Sequence, residues 1–85
     1  MPTIVRKDGF KVVIYPNDHD PAHVHVKKNS GEVKINLGDE ALSKPPYLMS
    51  IEGDISDKDV AKALNLVCEH QSELLAKWSE IHEKQ

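Results

Sequence analysis

A single cysteine, Cys68, stands in the 85 residues. That excludes an internal disulfide and any zinc site built on paired Cys-x-x-Cys ligands, and it fits a reducing, cytoplasmic setting. No apolar run approaches the ~20 residues that a membrane-spanning helix needs. The opening Met1–Asp8 also lacks the apolar stretch of a secretory signal, so no membrane partner is expected. A basic excess is missing too: 11 Lys and Arg stand against 14 Asp and Glu, a net charge of −3. This argues against a general binder of nucleic acid or of anionic membrane. There is no internal repeat, low-complexity tract or interdomain linker. Residues 1–85 are therefore expected to form one domain. With 39% hydrophobic residues its core is small, burying roughly 60–65% of the unfolded surface.

What is present is unevenly spread. Residues 1–37 carry six Lys/Arg against four Asp/Glu (net +2), and residues 38–85 carry five against ten (net −5). The mildly basic half reads as strands and the acidic half ends in a helix. Thr3–Arg6 is a short strand, Lys7–Gly9 a tight turn, and Phe10–Tyr15 a β-branched and aromatic strand closed by Pro16-Asn17-Asp18. Ala22–Lys27 and Glu32–Leu37 alternate strictly, around a hairpin signal at Asn29-Ser30-Gly31. A two-residue loop at Asn29-Ser30 puts Val26 opposite Val33, Val24 opposite Ile35 and His25 opposite Lys34, with Lys27 facing Glu32 as a favourable cross-strand pair. Shifting by one residue would set Val26 against Lys34 and waste the apolar face. Pro45-Pro46 forbids helix locally, and Tyr47–Ile51 reads as a last extended segment.

Ser56-Asp57-Lys58-Asp59 has the form of a capping box, with Asp59 in place of the longer Glu. From Val60 the period becomes helical: Val60, Leu64, Val67, Leu74, Trp78 and Ile81 form a stripe that Gln71 interrupts and that Ala61, Cys68 and Leu75 widen. A buried, structural thiol is expected at Cys68. No Gly or Pro breaks residues 57–83, so one helix about 40 Å long is allowed, against a domain diameter of roughly 30 Å. Either the helix bends near His70-Gln71-Ser72, or Leu75, Trp78 and Ile81 pack against another chain, a protein partner or a second copy. The expected fold class is α+β: a small antiparallel sheet of four to five strands, with one long C-terminal helix on its apolar face.

The densest chemistry is Asp18-His19-Asp20-Pro21-Ala22-His23-Val24-His25. His23 and His25, two apart on a strand, project from one face. Imidazole and carboxylate in this arrangement suit a borderline metal ion or general acid–base chemistry near neutral pH. The same run is good turn chemistry, and the two histidines also suit an ordinary solvent-facing side of a sheet. Lys34 opposite His25 would repel a cation, and no fourth strong ligand is evident. The expectation is therefore no metal, no cofactor and no convergence of the ligand atoms. Asp18, His19, His23, His25 and Lys34 are left as a binding surface. Pro2, as a free N-terminal amine, resembles the base of tautomerases, but several strands precede the helix here.

The start Met1-Pro2-Thr3-Ile4, the strand ending in Tyr15, the run from Asp18 to Val26 and the closing Leu74-Leu75-Ala76-Lys77-Trp78 together resemble a small prokaryotic family, domain of unknown function number four-one-six-zero. Its most specific part is the Asp-His-x-Pro-x-His-x-His run. Ala22 stands where the family usually has a second proline, and Val24 where it usually has an aromatic. The resemblance implies a bacterial protein, often encoded beside another small protein and sometimes grouped with toxin–antitoxin candidates, and it brings no reaction with it. Two functions follow as expectations. The first is a non-catalytic binding component of a two-protein regulatory module, joined through the C-terminal helix. The second is a small ribonuclease toxin, in which His23 and His25 act as base and acid and Lys34 steadies phosphate charge, with RNA as partner only in that case.

Overall fold

The computed structural model describes residues 3–83; Pro2 lies outside them. Five strands, β1 (Thr3–Lys7), β2 (Phe10–Val13), β3 (His23–Lys28), β4 (Gly31–Asn36) and β5 (Tyr47–Gly53), are followed by α1 (Asp57–Glu69) and α2 (Gln71–Glu83). The strands form one antiparallel meander in the order β1-β2-β3-β4-β5. Two of the four connections are tight turns set by their residues. Asp8 and Gly9, with φ of 53° and 84°, join β1 to β2, and positive φ at both central residues is the signature of the tight turn whose twist matches the strands. Asn29, with φ of 53°, opens the turn between β3 and β4, because Asn tolerates the left-handed region.

The β3–β4 register is the one the alternation demands. His23 pairs Asn36, Val24 Ile35, His25 Lys34, Val26 Val33, Lys27 Glu32 and Lys28 Gly31. Paired residues share a face, so Val24, Val26, Val33 and Ile35 meet the helices. They pack with Phe10, Val12, Ile14 and Leu37 against Ala63, Leu66, Val67, Leu74 and Trp78 in one core. The other face carries His23, His25 and Lys27 from β3 beside Glu32, Lys34 and Asn36 from β4.

Ser56 caps α1, its Oγ accepting from the Asp59 backbone N–H at 3.1 Å. The Asp59 carboxylate does not return to the cap; it takes the Lys28 ammonium at 3.2 Å, tying the helix start to β3. The helical segment is two helices of 13 residues each, not the one long helix that the missing Gly and Pro allow. The cause lies in side chains. His70 leaves helical geometry with φ −115° and ψ 19°, and its Nδ1 donates to the Leu66 carbonyl at 3.0 Å. Gln71 then donates through Nε2 to the carbonyls of Leu37 and Lys44, each at 2.9 Å, pinning the junction to the end of the sheet. A straight helix of about 40 Å would exceed the longest dimension of the molecule, 34 Å.

The bend returns α2 to its own sheet and removes the overhang on which an interface through Leu75, Trp78 and Ile81 rested. Trp78 is buried at 6% exposure, and Leu75 and Ile81 pack half-buried against the same core. Cys68 is exposed, contrary to expectation. The buried stripe of α1 runs through Ala63, Leu66 and Val67, which turns Ala61 and Cys68 outward.

Candidate functional site

The turn between β2 and β3 folds Asp18 back over the first residues of β3. Its backbone N–H donates to the Tyr15 carbonyl at 3.1 Å, and its own carbonyl lies 2.9 Å from Nε2 of His82 near the end of α2. Held from both sides, the Asp18 carboxylate reaches the two β3 histidines. One oxygen, Oδ2, lies 3.0 Å from Nε2 of His23 and 3.0 Å from Nε2 of His25. The outer ring nitrogens are held as well. Nδ1 of His23 donates to the Pro21 carbonyl at 2.8 Å, and Nδ1 of His25 to the Glu32 carboxylate at 2.7 Å.

The rings are fixed by packing too. Tyr15 meets His25 edge-on at 4.8 Å between centroids, and Trp78 lies tilted 5.2 Å from His23. Trp78 stacks on His82 at 3.8 Å. His23 is buried at 4% exposure, while His25, Asp18 and Glu32 are part-buried. Burial, the largest single influence on the Asp18 carboxyl, pushes its pKa up. When the two imidazoles are protonated, the hydrogen bond with His25, the charges of His23 and His25 and the hydrogen bond with His23 outweigh it, leaving the pKa below the ordinary value.

Of the residues singled out in the sequence, Asp18, His23 and His25 come together, although convergence was not expected there. His19 is exposed and outside the cluster. Lys34 pairs with His25 across the strands and lines a small cavity with His25, Glu32, Ser50 and Glu52. Tyr15, Glu32, Trp78 and His82 complete the surroundings and were not singled out for this site. Glu32 had a signal: in the β3–β4 register it lies diagonal to His25, within reach of a long side chain. His82 had none, because its contact spans 64 positions of sequence.

A second feature lies at the sheet edge. All seven residues of β5 are exposed, among them Tyr47 (56%), Leu48 (38%), Met49 (39%) and Ile51 (49%). Through the pairs Val33–Ile51 and Ile35–Leu48, Ile51 and Leu48 continue the core face beyond the cover of the helices.

The family model for the domain of unknown function DUF4160 matches residues 9–79, a span from the β1–β2 turn into α2. The chain belongs to the DUF4160 family. No curated protein matches it, and no solved structure does. No helix among the described residues is long and apolar enough to cross a membrane.

Proposed function

We propose that this DUF4160 chain is a non-catalytic protein-binding module, one half of a two-protein regulatory pair of toxin–antitoxin type, and that β5 is its docking edge. The observation that carries the reading is the state of β5. An edge strand presents unpaired backbone groups to solvent, and proteins normally blunt it by shortness, lysine, proline, a β-bulge or a covering segment; of these β5 has one register irregularity, between the Lys34–Ser50 and Ile35–Leu48 pairs. β5 is seven residues long, has no Lys or Pro, and exposes Tyr47, Leu48, Met49 and Ile51. The fitting occupant is an extended segment of another protein, added as a sixth strand, whose backbone supplies affinity and whose alternate side chains meet those apolar groups. Glu52 and Asp54 at the end of the strand, and the net charge of −5 over residues 38–85, favour an occupant with basic residues. The small size of the chain and its family resemblance support the two-protein pairing.

The ribonuclease reading gains no support from the site. General acid–base chemistry needs substrate access to both rings. His23 is buried, and both of its ring nitrogens face protein oxygens.

Co-expression with the product of the adjacent gene tests the proposal. A stable complex of the two chains is expected, and Ile51→Lys, at an exposed position, abolishes it while leaving the circular dichroism unchanged. A complex indifferent to Ile51→Lys and Leu48→Lys, a homodimer closed through β5, or two proteins that pass through gel filtration separately would each overturn it.

A further inference from the structure

We propose that Asp18, His23 and His25 form a mononuclear site for a borderline divalent transition-metal ion, zinc by preference, with its remaining coordination position open to solvent or a ligand. The site is separate from the β5 edge and does not depend on the reading given to that strand.

Donors and acceptors around the two rings carry the inference. A carbonyl oxygen only accepts, so the Pro21 contact at 2.8 Å places a proton on Nδ1 of His23. The Glu32 carboxylate at 2.7 Å does the same for Nδ1 of His25. A neutral imidazole has one N–H, so each ring then turns a lone pair at Nε2 toward the same atom, Oδ2 of Asp18, at 3.0 Å. Three acceptors aimed at one another repel unless something positive sits among them. Two further protons would make two imidazolium rings with centroids 5.3 Å apart, one of them buried. One dication supplies the same charge at the point of convergence and takes all three lone pairs.

The three candidate ligand atoms converge to within 4.8 Å of one another. A tetrahedral zinc ion with ligands at about 2.0–2.1 Å sets neighbouring ligand atoms roughly 3.3 Å apart. Binding therefore opens the two 3.0 Å separations slightly and draws the wider pair together, a side-chain adjustment at the partly exposed Asp18 and His25. The outer nitrogens are bonded as in metal-ligating histidines generally, one to a backbone carbonyl and one to a carboxylate, which fixes the tautomer and aims the free lone pair.

Lys34 lies opposite His25, but it lines a cavity shared with Glu32 and Glu52, whose carboxylates offset its charge. A fourth protein ligand is unnecessary, because zinc sites with an open position use three protein ligands and a water.

The test uses the full chain without a histidine tag, stripped with a chelator and titrated with zinc or cobalt(II). One equivalent should bind, with tetrahedral cobalt absorption and a raised thermal midpoint. Asp18→Asn and His25→Gln, which keep side-chain volume, should abolish saturable binding. Glu32→Gln, a positioning residue through His25, should weaken it roughly 10- to 100-fold, and His19→Ala should leave it unchanged. Circular dichroism of the metal-free variants separates loss of the site from loss of the fold. Folded wild type that binds neither ion, or variants at Asp18 and His25 that bind as well as wild type, would overturn the assignment. Failure of the β5 interaction would leave this result untouched.

Discussion

Trp78 joins the core to the histidine cluster. Its indole is buried with Leu74 and Val67, tilts against His23 and stacks on His82. Replacing it removes packing from both at once, and Trp78→Ala should cost about 3–5 kcal/mol, a large part of the stability of a domain this small. Urea unfolding measures this; a loss under about 1 kcal/mol would place Trp78 outside the core. Cys68 gives a prediction of opposite sense. Its outward position on α1 means that an aromatic disulfide reagent should react with native protein nearly as fast as with the urea-unfolded chain. A protected thiol would mean that α1 is rotated to bury the stripe through Ala61 and Cys68. At this scale the sequence was only partly legible. A 4-3 spacing locates an apolar stripe but leaves its rotation open by one position, and packing against Val33 and Ile35 settles it in favour of Ala63, Leu66 and Val67. The meeting of Asp18 with His23 and His25 was not legible, because it depends on how the Asp18–Pro21 turn closes and on His82 reaching back from α2.

Among elements, the hairpins were the most legible part and the helical junction the least. Alternation in β3 and β4 leaves one register that puts the Val26–Val33 and Val24–Ile35 pairs on the core side, and the Asn29-Ser30 turn realises it. The break between α1 and α2 carries no Gly or Pro signal. It arises from the His70 ring taking a helix carbonyl and from Gln71 binding the carbonyls of Leu37 and Lys44. Gln71→Ala should therefore destabilise the protein by about 1–2 kcal/mol, the cost of stranding the part-buried Leu37 carbonyl while water reaches the exposed one of Lys44, where an exposed Gln at mid-helix would change almost nothing; thermal unfolding distinguishes the two. The β4–β5 pairing has its own constraint. Gly53 has φ 74°, and a Cβ there would run into the Ser30 carbonyl. Gly53→Ala should cost at least about 1–2 kcal/mol from backbone conformation alone, read as a lowered urea midpoint.

For the whole molecule, the two features to which a function is proposed lie apart in the fold: the cluster where the β2–β3 turn meets α2, and the uncovered edge at β5. The helices shelter the middle of the sheet and leave β5 exposed along its length. Hydrogen exchange of the backbone amides, free and with the neighbouring gene's product, tests the docking edge most directly. In the free chain, the β5 amides that point away from β4 should exchange with little protection, while those of β3 and β4 are slow. On complex formation those outward β5 amides should become protected, as a sixth strand pairs with them, and the amides of α2 should be unchanged. Protection appearing on α2 while the β5 amides stay open would contradict the proposed edge and return the interface to Leu75, Trp78 and Ile81.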